Sequence, residues 1–158
     1  MKTLLSLILC CAALSPLALR AELIPADKAA IPAIKEALSE KYGCKINDNG
    51  DLMINGKNGK LHIRVIPEAK VIRLYCSYAA YPKRTPQEMV SLANRFNWQK
   101  RLLRVAVDPE SGASVCDHFV LYKAGLDPEN LAETIGWFET LMGIWESYVI
   151  HGGEKKEK

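Results

Sequence analysis

Apolar residues recur along this chain at two periods, and the switches between the periods mark its elements. Ile31, Ile34, Leu38 and Tyr42 repeat at three- and four-residue steps, a spacing that gathers side chains on one helical face. Proline is tolerable only in a first turn, so Pro32 places the start of this helix between Asp27 and Pro32. Gly43 reads as a left-handed cap at its end. The period then falls to two. Cys44 to Asn47 and Leu52 to Ile54 flank Asn47-Asp48-Asn49-Gly50-Asp51, the composition of a tight hairpin turn. Leu61, Ile63 and Val65 alternate with His62 and Arg64. Ile72, Leu74, Cys76 and Tyr78 alternate with Arg73, Tyr75 and Ser77, which predicts a meander of antiparallel strands.

The helical period returns at Thr85-Pro86-Gln87-Glu88, which has the residues of a capping box with proline at the first helical position. Met89, Leu92, Ala93 and Phe96 form the buried stripe of this second helix. Leu103, Val105 and Val107 alternate, Asp108 to Gly112 turn, and Val115 to Tyr122 return. In that returning strand Asp117 sits among Val115 and Phe119, and His118 among Cys116 and Val120, so the pattern assigns no inward face. Asp127-Pro128-Glu129 opens a third helix that reaches about Ile150. The order is helix, three strands, helix, two strands, helix. It predicts an α+β fold with an antiparallel sheet of about five strands packed against helices.

The third helix carries more apolar surface than one contact needs. Leu131, Ile135, Phe138, Met142, Trp145 and Val149 form one stripe, and Trp137, Leu141, Ile144 and Tyr148 form a second. At ~100° per residue the two lie roughly 110° apart. One stripe covers the sheet. The second either wedges against the first helix as core or forms a partner or dimer surface.

The start of the chain has a different character. Lys2 precedes an apolar run from Leu4 to Leu14, and Pro16 to Ala21 leads to a small residue suited to cleavage. This is the layout of a signal peptide over residues 1–21, and the run is too short for a spanning helix of ~20 residues. Cleavage after Ala18 competes with cleavage after Ala21. An uncleaved anchor is a further alternative, as is lipidation at Cys10 or Cys11, although Leu7, Ile8 and Leu9 are not the small residues lipidation favours. The expected organisation is a leader, one domain over 22–151 and a charged, disordered tail over 152–158. The protein is then exported, periplasmic or secreted, with no membrane attachment after cleavage.

Charge and cysteine usage narrow the function classes. The chain has 21 Lys and Arg against 18 Asp and Glu. Lys2 and Arg20 lie in the leader, so the remainder is near neutral, unlike a nucleic-acid binder with its concentrated basic face. Lys83-Arg84 and Lys100-Arg101 fall at predicted helix ends, where cations meet a helix dipole or water. Cys44, Cys76 and Cys116 follow the leader, an odd number that allows at most one internal bridge. No two of them have zinc-ligand spacing, and His62, His118 and His151 lie far apart, so no metal is expected.

Catalytic patterns are equally thin. No nucleophile elbow occurs, and Gly50, Gly56 and Gly59 suit turns, not a phosphate loop. Asp108 and Glu110 flank Pro109 in a predicted turn, a structural use of both carboxylates. Cys116 and His118 share a strand face about 7 Å apart, too far for a direct hydrogen bond without side-chain convergence. No catalytic, metal or cofactor residue is therefore assigned.

Three stretches carry a family resemblance. Leu92-Ala93-Asn94-Arg95-Phe96-Asn97-Trp98, then Leu103 to Asp108 with Val115 to Leu121, then Ala124-Gly125-Leu126-Asp127-Pro128-Glu129-Asn130-Leu131 resemble the YbjN family of bacterial sensory transduction regulators. The resemblance covers essentially the whole domain, with Asn94, Asn97 and Gly125 as its marker positions. It implies a fold similar to type III secretion chaperones and a non-enzymatic interaction module, often dimeric, without a cofactor. Those chaperones act in the cytoplasm, whereas this chain has an export leader. The expected function is an exported protein-interaction or regulatory module with a protein partner or a homodimer. The alternatives are a small-ligand or lipid carrier with an apolar groove between sheet and helix, and, further off, a secreted hydrolase.

Overall fold

A computed structural model describes residues 22–101 and 103–153. The expected signal peptide and residues 154–158 of the expected tail lie outside the described residues. The elements run α1 (Ile31–Leu38), β1 (Cys44–Ile46), β2 (Leu52–Gly56), β3 (Gly59–Ile66), β4 (Val71–Tyr78), α2 (Pro86–Gln99), β5 (Arg104–Val107), β6 (Ser114–Leu121) and α3 (Pro128–Ile150). All pairings are antiparallel, in the order β1-β2-β3-β4-β6-β5. The α+β class is as the pattern predicts, but the sheet has six strands, four before α2 and two after it. The expected count of three before α2 is one short: β1, the first arm of the hairpin read from Cys44 to Asn47, is a strand of three residues, mostly exposed.

Local chemistry accounts for most element ends. The Asn47 side-chain oxygen accepts from the N–H groups of Asn49 and Asp51, and Gly50 takes φ 79°, closing the β1–β2 hairpin. The Thr85 hydroxyl accepts from the Glu88 N–H at 3.2 Å while Glu88 accepts from the Thr85 N–H at 2.7 Å, a complete capping box. The Asp127 side chain accepts from the N–H groups of Glu129 and Asn130 at the start of α3. One expectation fails. α1 ends at Leu38 with Ser39 as its right-handed cap, and Lys41 and Tyr42 then donate to the Leu38 carbonyl. The orphan carbonyls are thus met before Gly43, which does not adopt the left-handed conformation.

Helices cover one face of the sheet. Leu52, Ile54, Leu61, Ile63, Ile72, Leu74, Cys76, Val105 and Cys116 meet the buried stripes of the three helices. All six residues of the first α3 stripe are buried, and the large apolar side chains among them each contribute roughly 1.5–3 kcal/mol. Trp145 and Tyr148 pack on Phe96 of α2 edge-on, with centroids 5.2 and 5.3 Å apart. The end of α3 is closed from outside: Arg84 Nε donates to the Val149 carbonyl, and Arg95 donates to the Gly152 carbonyl. Arg84 thus serves the dipole of α3 and not that of α2, the helix it precedes. At the other edge of α3, the amide of Asn58 from the β2–β3 turn donates to the Glu139 carbonyl at 2.8 Å. A side chain at Gly143 would place its Cβ 2.8 Å from that amide nitrogen, so the glycine makes room for the turn.

Candidate interaction surface

The second stripe of α3 divides along its length. Trp137 is 61% exposed and Ile144 38% exposed, with Leu141 half-buried between them. Trp137 and Leu141 share a recess with His118, Thr134 and Phe138. Tyr148, the fourth member, belongs elsewhere, stacked beside Trp145 and against Phe96. Of the four residues the sequence groups together, Trp137 and Ile144 are therefore exposed, whereas Leu141 and Tyr148 are partly buried against the core. Trp98, at the end of α2, is the most exposed aromatic among the described residues at 78%.

The face of the sheet turned away from the helices holds a polar lattice that sequence reasoning missed. Asp51, only 3% exposed, takes a two-pronged contact from Arg64 at 2.8 and 2.7 Å and a hydrogen bond from the Tyr75 hydroxyl at 2.6 Å. Asp117, 2% exposed, is held by Arg104 at 2.8 and 2.6 Å and by Arg73 at 2.8 Å. The Arg73 guanidinium also lies 4.9 Å from the Tyr75 ring centroid, and His62 stacks on the other reach of that ring at 5.0 Å. Cross-strand register builds this row: Met53, His62, Tyr75, Asp117 and Arg104 stand opposite one another on successive strands. The available signal was the run of charged and aromatic residues at the outward positions Arg64, Arg73 and Tyr75.

These contacts set the titration of the lattice. Hydrogen bonds from Arg64 hold the Asp51 carboxyl below the usual carboxylate range, against the opposing effect of burial. Burial pushes the His62 ring below its ordinary value, with Asp51 opposing. Burial also pushes the Tyr75 phenol up, helped by its bond to Asp51. Asp51 is thus a fixed, ionised acceptor, tied to its donors and not poised to take up a proton.

The remaining sequence candidates occupy structural positions. Asn94 is exposed on α2, whereas Asn97 reaches the backbone of Val105 on β5 with both ends of its amide at 2.8 Å. Gly125 adopts φ 109° in the turn before α3, where a Cβ would lie 3.2 Å from the Ile24 carbonyl. Asp108 closes its own turn by accepting from Glu110 N–H and the Ser111 hydroxyl. Among the described residues no three His, Cys, Asp or Glu side chains gather as metal ligands. A depression of about 460 Å³ runs from Asn97 and Arg101 past Arg104 to His118 and Phe119 and lies open to solvent.

The sequence itself matches a known group. The model of the YbjN family, described as "Putative bacterial sensory transduction regulator", matches residues 33–143. The chain belongs to the YbjN family. Its three marker stretches, from Leu92 to Leu131, all lie within the matched range. The crystal structure of YbjN from E. coli is similar to this YbjN-family chain with a TM-score of 0.63 at 12% identity, over 77% of this chain and 92% of that one. A chain of the HopA1-SchA chaperone-effector complex gives 0.54 at 14% identity, over 77% and 94%. An uncharacterized protein from Methanothermobacter thermautotrophicus gives 0.55 at 12% identity, over 76% and 95%. At such identities the likeness is one of fold, seen alike in YbjN and in a chain of a chaperone-effector complex. No curated protein matches the sequence.

Proposed function

We propose that this YbjN-family chain is a non-catalytic protein-interaction module that works after export and engages its partner through the exposed side of α3. The observation that carries the reading is the contrast along that helix. One stripe is fully seated in the core, yet Trp137 and Ile144 stay exposed with Leu141 between them. Large apolar side chains of this kind, rimmed by polar residues, have the composition of association surfaces. The carrier reading needs a cavity between sheet and α3, and that space holds Phe138, Met142 and Trp145. Export is supported by the charged start, the apolar run and the small residue at Ala21.

A photo-crosslinking amino acid at position 137, with position 68 as a control in the exposed β3–β4 turn, tests the surface in the producing cell. A crosslinked product at 137 and none at 68 is expected. Its mass distinguishes a second copy from a different protein, and sedimentation velocity of wild type and Trp137→Glu checks the former. Equal crosslinking at both positions, or none at 137, overturns the reading. The N-terminal sequence of the protein from the envelope fraction, expected to begin at Glu22, tests export separately; a retained Met1 overturns it.

A further inference from the structure

Cys76 and Cys116 stand directly opposite each other on β4 and β6, both free thiols in this structure, both buried and both on the helix-covered face. Their pair type follows from the next strand. The N–H and C=O of Val105 are taken by Asn97, so they point away from β6, and Val105 and Cys116 form a non-hydrogen-bonded pair. The backbone groups of Cys116 therefore point at β4, and its pairing with Cys76 is the hydrogen-bonded kind. Such a pair has a Cα separation of about 5.5 Å, inside the range of about 4.4–6.8 Å that a disulfide spans, and its Cβ atoms, about 5.5 Å apart, must close by about 1 Å to form the bond. Cys44 shares the face but lies three strands from β4, roughly 14 Å away. Gly59 adds room beside the pair: a Cβ there would stand 3.3 Å from the Cys76 sulfur.

We propose that Cys76 and Cys116 are a disulfide site, joined across β4 and β6 when the chain folds in an oxidising compartment, with Cys44 left as a thiol. The setting rests on the export reading above, whereas the pairing rests on strand register alone. The oxidant is a disulfide, either a thiol-disulfide oxidoreductase or glutathione disulfide. One cysteine thiolate attacks the oxidant sulfur and releases the first carrier thiol. The second cysteine displaces the remaining carrier and releases it as a second thiol. Two electrons pass to the oxidant, and the two cysteine protons end on the departing thiols. Burial pushes both thiols up, and the neighbouring Cys76 pushes Cys116 further. Thiols held protonated and out of solvent are slow nucleophiles, so the bond forms during folding and not in the finished domain.

Refolding the reduced, unfolded full chain in a glutathione redox buffer tests the pairing. Free thiols are then alkylated and the chain is digested with trypsin without reduction. Cuts after Arg73, Lys83, Arg104 and Lys123 place the two cysteines on peptides 74–83 and 105–123, with Cys44 on a third. The expected result is a linked 74–83/105–123 species, lighter by two hydrogen atoms than its separate thiol peptides, and an alkylated Cys44. Cys44→Ser keeps the link and Cys116→Ser removes it. Alkylation of both peptides, or a link to any other cysteine, overturns the pairing. The same map on protein from the envelope fraction reads the setting. A link is expected there, and its absence alongside a link in the refolded chain overturns the oxidising setting alone.

Discussion

The side chain of Asn97 acts toward Val105 as a neighbouring strand would: its amide nitrogen donates to the Val105 carbonyl and its oxygen accepts from the Val105 N–H, both at 2.8 Å. β5 is an edge strand, and an open edge invites pairing with other chains. One amide from α2 satisfies the buried centre of that edge and ties the helix to the sheet. Asn97→Ala strands one donor and one acceptor, each costing about 1–3 kcal/mol when buried without a partner. Urea unfolding should show a loss of about 2–6 kcal/mol, and sedimentation should show more self-association than wild type.

The two stripes of α3 should respond very differently to truncation. Phe138→Ala removes a fully buried ring and is expected to cost about 3–5 kcal/mol. Trp137→Ala, one residue away, removes an exposed ring and should stay within about 0.5 kcal/mol of wild type. Thermal or chemical unfolding of the pair measures the contrast.

Acid should loosen the domain through Asp51. Its folded carboxyl titrates below its unfolded value, so the ionised form is the one the fold favours. The resulting stability is complete above the unfolded value of about 3.9 and is lost as pH falls through the lower folded value. Asp51→Asn keeps the shape but not the charge. It is expected to be less stable at neutral pH by about 1–3 kcal/mol, since Arg64 and Tyr75 lose a charged acceptor. Its stability should also fall less steeply below pH ~4, as unfolding titrations at several pH values would show.

Gly125 is expected to tolerate no side chain at full stability. Its φ of 109° strains any L-residue, and an alanine Cβ would press on the Ile24 carbonyl at 3.2 Å. Strain of this kind costs about 1–3 kcal/mol. Gly125→Ala should therefore lower the melting temperature and loosen the Ile24–Leu126 bridge, detectable as faster amide exchange at those two residues.

Much of this architecture is legible in the sequence because local signals agree with tertiary need. The Thr85 box, the Asp127 cap and the stripe from Leu131 to Val149 each fall where the pattern puts them. Legibility fails where partners come from distant strands. Asp117 looks misplaced in β6 until register sets it beside Arg73 and Arg104, and Asp51 reads as a turn residue until Arg64 and Tyr75 close on it. Gly43 misleads for a simpler reason: the chain completes the end of α1 earlier, through Ser39 to Tyr42. The α3 surface was half legible. Helical spacing groups Tyr148 with Trp137, but only the position of Phe96 shows that Tyr148 has a neighbour in the core.

The pairing of β4 with β6 has a kinetic meaning. Every other pairing in the sheet joins strands consecutive in the chain, whereas this seam joins Val71 to Leu121 and waits on α2 and β5 between them. The four-stranded meander and the β5–β6 hairpin are each built from short loops, so they can assemble as separate halves. Docking the halves carries the greater loop-closure entropy and is expected to set the pace of folding. Changes along the seam, at Leu74 or Val120, then act mainly on the folding rate, while changes in the β1–β2 hairpin act mainly on unfolding. Folding speed in this domain is therefore expected to respond most to changes at one strand junction near the middle of the sheet.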